Sequence, residues 1–182
     1  RSPCVYLTIA AGRVVLQVPS WEGVDNHHWL ATYWALGVGL ALLTTRPAAS
    51  LATVGRLLIG LAFSFAVYWK LAGNAFVDGR FFEFMLLYDP RLADITNSVA
   101  GLSPEAIERN HALMNERLLS DGSVSLESKG GVRTIALAMS WFGLLIEAAL
   151  AVLYLWPTSE RVRVLRAVAL IGFCAATYFV LP

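Results

Sequence analysis

Glu147 is the side chain of this sequence that most needs a chemical account. It lies within Thr134–Trp156, a run that is otherwise free of charge. A glutamate is too short to reach water from the middle of a long apolar helix. It must be protonated, paired, or facing a water-filled cavity. Two basic residues, Arg56 and Lys70, interrupt a second apolar run, Leu51–Leu71. Their separation corresponds to about 21 Å of helix. Long side chains so far apart can extend toward opposite ends, and simple snorkelling accounts for both. Depth selects between them as partners for the acid. Counted from Trp156, Glu147 stands about 13 Å along its helix, and counted from Leu51, Arg56 stands about 8 Å along an antiparallel neighbour. The expected pair is therefore Arg56–Glu147, with Arg13 as a second candidate. Lys70, about 15 Å away in depth by the same count, is left for another role. Such a pair suits a structural role that fixes helix register at least as well as a catalytic one.

The remaining reactive side chains form no complete site. His27 and His28 are adjacent, so they cannot converge on one ion without help from Asp25 or His111, and no histidine pair stands at i and i+4. No metal site is expected. His111 falls on the apolar face of a helix with Ile107, Met114 and Leu118. It is read as a hydrogen-bonded core histidine, or as a general base if it faces Lys70. Cys4 and Cys174 sit in apolar runs and read as buried, inert thiols. There is no nucleophile beside a base, no carboxylate pair and no phosphate-cradling loop. No cofactor follows from these residues.

The elements that would position these groups are apolar throughout. Of 182 residues, 57% are hydrophobic and 15% are charged, against about 25% charged in ordinary soluble domains. Mean hydropathy is +0.61. This excludes a disordered chain and a disulfide-stapled module. A net charge of +1 leaves no basic excess for a nucleic-acid partner. A membrane-crossing helix needs about 20 mainly apolar residues. The sequence therefore predicts an all-α, polytopic transmembrane bundle forming a single membrane domain over 1–182. Four spans are expected at about 29–45, 51–71, 134–156 and 164–181, with 4–18 either a fifth or an interfacial segment. Arg46 and Arg56 flank one connection, and Arg161, Arg163 and Arg166 mark the other. The positive-inside rule puts both in the cytoplasm. The acid-bearing segment 72–133 then faces the outer, periplasmic or lumenal, side. Trp21, Trp29, Tyr33 and Trp34 would form an outer aromatic belt. Within the outer segment, Ser103-Pro104-Glu105 starts a helix that should run to about Leu119. The phenylalanine-rich stretch 76–87 is too apolar for a free loop.

Several of these residues also carry a resemblance. Arg56, Gly60, Phe63 and Lys70-Leu71 resemble the signature of the DoxX-like membrane family, with Val67 where a second glycine is expected. Tyr68-Trp69-Lys70-Leu71, then Phe76, Gly79 and Phe81-Phe82, with Trp141 and Glu147, are similar to the related HTTM family. That family is named for the membrane part of vitamin K-dependent gamma-carboxylase. The resemblance spans roughly Gly55 to Leu155. It implies that Lys70 matches the position of a catalytic base, while the histidine that the carboxylase family also uses aligns with neither His111 nor His28. It also implies a link to quinone-associated redox systems. Two functions follow as expectations. The first is a non-catalytic accessory or scaffold subunit of a respiratory or photosynthetic-type complex, with the lipid bilayer, other membrane subunits and quinone- or pigment-bearing proteins as partners. The second is an HTTM-type enzyme in which Lys70 acts on a lipid-soluble or peptide substrate. Whether the chain is an enzyme is left open.

Overall fold

A computed structural model describes residues 2–23, 26–117, 125–157 and 159–180. The described residues are helical, with no strand among them. Helices α1 (Pro3–Gln17) and α2 (Asn26–Leu42) come first. The long α3 (Pro47–Ala72) follows, then a group of short helices, α4 (Asn74–Val77), α5 (Arg80–Tyr88), α6 (Ala93–Ala100) and α7 (Pro104–Arg117). The long α8 (Gly130–Leu155) and α9 (Glu160–Val180) complete the chain. Each of the five apolar runs read from the sequence is a helix, within four residues at each end. Helices α3 and α8 are long and apolar enough to cross a membrane, and only 6% and 33% of their apolar stretches are buried.

Proline at the first helical position starts α1, α3 and α7, where its missing N–H costs nothing. Ser103 caps α7 as its sequence implies, its hydroxyl accepting from the Ala106 amide at 3.3 Å. The expected end of that helix near Leu119 lies outside the described residues.

Consecutive long helices pack antiparallel. Glycines set the close approaches. A Cβ on Gly37 would collide with Cγ1 of Val54, so the glycine lets α2 approach α3. One on Gly60 would stand 2.8 Å from Leu155, binding α3 to α8. Phe63 of α3 meets Phe173 of α9 edge to face, with centroids 5.2 Å apart.

The contiguous hydrophobic core does not lie between the long helices. It lies where α5, α6 and α7 pack on the first turns of α8. Leu86, Leu87, Leu92, Leu102, Ile107 and Val132 are buried there with Ala106 and Ala136. The apolar stretch 76–87 is thus folded into a cap, as its composition requires. Gly79 makes the joint. Its φ of +81° is costly for other residues, and a Cβ would stand 3.1 Å from the Leu137 backbone. Asn110 is fully buried in the cap. Its side-chain amide donates to the Leu87 and Glu127 carbonyls at 3.1 and 2.9 Å and accepts from the Glu127 amide at 2.8 Å. Arg133 of α8 pairs with Glu83 of α5 at 2.5 Å.

Candidate functional site

Glu147 is buried in the α3–α8 interface and pairs with Lys70. The ammonium donates to Oε1 and also lies over the Phe76 ring, 4.7 Å from its centroid. This corrects the expected Arg56–Glu147 pair. Counting depth from the run ends places Leu51 level with Trp156, but α3 starts at Pro47, and its first turns extend past the end of α8. Arg56 itself is level with Trp156. Lys70 lies some ten residues beyond the Gly60–Leu155 contact, and its flexible stem covers the remaining depth to Glu147. The other carboxylate oxygen, Oε2, is buried with no hydrogen-bond partner. So is the hydroxyl of Ser140, two turns earlier on the same face of α8.

Arg56 instead closes the C-terminus of α8. Its Nη1 donates to the carbonyls of Tyr154, Leu155 and Trp156 at 2.8, 3.3 and 3.1 Å. Arg166 of α9 reaches the same end and donates to the Leu153 and Trp156 carbonyls, each at 2.5 Å. The last four carbonyls of a helix have no partner within it, and its C-terminus carries partial negative charge. Two guanidinium groups answer both deficits. Arg166 is only 5% exposed, and these carbonyls and the Tyr154 ring are among the partners of its guanidinium.

A third polar cluster ties α1 to α2. Arg13 donates from Nε to the Thr32 hydroxyl and from Nη2 to the His28 carbonyl, both at 3.1 Å. Gln17 donates to the His28 carbonyl at 3.3 Å, and its own carbonyl accepts from Thr32 at 3.0 Å. Gln17 and Thr32 were not singled out in the sequence. Their signal was spacing: Arg13 and Gln17 share one face of α1, and His28 and Thr32 share one face of α2.

The other expected site residues do not converge on Lys70. His111 stacks on Tyr88 at 4.8 Å in the cap, with Asn115 3.2 Å from its Nδ1. No hydrogen bond or ion pair joins it to Lys70. The side chain of His27 lies outside the described residues, and His28 is exposed. Cys4 and Cys174 are exposed rather than buried, because their helices turn those faces outward. Among the described residues no cluster of three or more histidine, cysteine or acidic side chains could hold a metal. Trp34 packs over Gly55 while remaining part exposed, and Trp29 stacks on Tyr33 at 6.3 Å. In the cap, Arg91 hydrogen-bonds the buried Asp89 at 2.6 Å and holds its carboxyl below the usual carboxylate range, against the opposing effect of burial.

No family model, curated protein or solved structure matches this chain.

Between the long helices the ionisable groups thus sit in three inter-helix contacts, while much of the open face of α3, α8 and α9 is apolar. A cleft of about 620 Å³ between α2, α3 and α9 is lined by Trp34, Gly55, Ile59, Ala62, Phe63 and Leu170, among other apolar residues, and Lys70 is not in its wall.

Proposed function

We propose that this chain is a multi-pass membrane protein whose role is structural: an accessory or scaffold subunit that packs other membrane components against its apolar helix faces. The observation that carries this reading is the distribution of polarity. The ionisable groups between the long helices have internal partners: Lys70 with Glu147, Arg56 and Arg166 with the carbonyls of α8, and Arg13 with Thr32 and His28. Large apolar side chains are left outside. Phe65 and Trp69 of α3, Phe142 and Leu145 of α8, and Val168 and Ile171 of α9 are all exposed. In water that surface would be an aggregation liability, whereas in a bilayer it is the solvated face. Helices α2 and α9 then cross the membrane beside α3 and α8. The α2–α3 and α8–α9 connections lie together at one end, joined by the contact of Arg56 with Trp156. Their arginines argue for the cytoplasmic side, with the cap on the other.

Gentle extraction followed by mass measurement of the intact assembly tests the role. A stoichiometric complex that dissociates in Phe142→Glu supports it, and a monodisperse lone protein overturns it. Cysteines introduced at Ser98 and Ser159 test the orientation. They should react with impermeant thiol reagents from opposite sides.

A second reading keeps Lys70 as a base acting on a lipid-soluble or peptide substrate. Its partial exposure, 28%, favours this. Against it, Nζ is already engaged by Glu147 and the Phe76 ring, and among the described residues no histidine joins it there.

A further inference from the structure

We propose that Ser140, Glu147 and Lys70 form a hydrated proton-binding site inside the helical bundle, with water bridging the Ser140 hydroxyl to Oε2 of Glu147. Two orphaned atoms mark the site. Buried polar atoms without partners are uncommon, and each calls for an ion, a water or a chemical role. Here there are two, on one face of one helix. Ser140 and Glu147 are two turns apart, about 10.5 Å in rise. Both side chains lean toward the N-terminus of α8, Glu147 reaching farther than Ser140, so the carboxylate is brought nearer the hydroxyl and a short chain of waters joins the two orphaned atoms. Gly143 lies between them, and a Cβ there would be in ordinary contact with the Phe76 ring at 3.9 Å. The same ring lies under the Lys70 ammonium. The site is therefore bounded by a ring, a hydroxyl, a carboxylate and an ammonium.

The choice of cation bears on the proton. The arginines of the helical interfaces, Arg13, Arg56 and Arg166, donate to carbonyls and a hydroxyl, and arginine does not release its proton in a protein. The acid in the α3–α8 interface is paired instead with lysine, which can. The site thus has two proton distributions, ammonium with carboxylate, or amine with carboxylic acid, related by transfer of one proton from Nζ to the carboxylate. In addition, a proton arriving through the water can rest on Oε2 and leave the ammonium unpaired. Few other titratable groups are near. Helix α4 contributes none. The Glu83–Arg133 pair stands toward the start of α8, and Tyr154, with Arg166 and Cys174 of α9, stands toward its end. This inference rests on the membrane reading of the fold and not on the scaffold role.

The test is infrared difference spectroscopy of the whole chain in lipid nanodiscs, titrated between about pH 4 and pH 10. The expected result is a carboxylic-acid carbonyl band that rises as pH falls, is lost in Glu147→Gln, and moves promptly on transfer to D₂O. Ser140→Ala should slow that exchange by about two- to tenfold, the effect of one lost hydrogen bond. If Glu147→Gln does not assemble, isotope-labelled glutamate in the wild-type chain and Lys70→Arg, which keeps the charge and withholds the proton, provide the assignment. A band absent across the range, or one that stays unexchanged in D₂O, overturns the proposal. Failure to enter nanodiscs as a folded protein would instead count against the membrane reading itself.

Discussion

The ammonium of Lys70 and one oxygen of Glu147 join α3 to α8, while the other oxygen of the same carboxylate makes no hydrogen bond. Removing the cation would strand a buried acid. Lys70→Met should therefore lower stability by about 3 kcal/mol. Replacing both residues, as Lys70→Met with Glu147→Leu, should return most of that loss, because no charge is left uncompensated. A double-mutant cycle on thermal unfolding in mild detergent measures the coupling, and strictly additive losses would exclude it.

The closure of α8 by two arginines makes a second prediction. Arg166→Leu should cost about 2 kcal/mol, since charge-assisted hydrogen bonds to two carbonyls disappear from a buried position. Arg56→Leu should cost less, because part of its contact is exposed. Arg56→Lys should recover only a fraction, as a compact ammonium cannot spread over three carbonyls. Thermal melts of the three variants, ranked against wild type, check the order.

Two glycines with positive φ separate backbone strain from steric clash. Gly101→Ala, at φ +66°, has only Lys129 Nζ nearby at 3.9 Å and should cost about 1 kcal/mol. Gly79→Ala combines φ +81° with contact against the backbone of α8. It should cost about 3 kcal/mol and loosen the cap. Faster proteolysis within 80–117 in Gly79→Ala, but not in Gly101→Ala, is the expected readout.

Acid should weaken the cap through Asp89. Its folded pKa lies below the ordinary value because Arg91 stabilises the carboxylate. A depressed folded pKa adds stability that is fully present above the unfolded value, about 3.9, and is lost as pH falls through the folded one. The loss should therefore begin near pH 4 and continue below it. Asp89→Asn should be less stable at neutral pH and show a shallower acid transition, followed by hydrogen exchange in α5–α7.

The five long helices were legible because each contains a long apolar run with at most two charges, and in an apolar setting a helix satisfies its backbone groups internally. The start of α7 was legible because Ser103-Pro104 combines a cap with a fixed φ. Register was not. Whether Arg56 or Lys70 meets Glu147 depends on how far α3 extends past the end of α8, and composition is silent on that offset. Asn110 was missed for a related reason. Its partners are backbone groups at Leu87 and Glu127, distant in sequence and invisible to any side-chain pattern. Gln17 and Thr32 carry weak single-helix signals that gain meaning only once α1 and α2 are placed side by side.

The core built on Val132 and Ala136 has a consequence for synthesis. The three short helices that cover those residues leave the ribosome before α8 does, so they have nothing to close upon when they are made. Until α8 arrives, their leucine faces must wait uncovered or in the grip of a chaperone. A chain halted just short of Gly130 should accordingly be a favoured target of quality-control proteases.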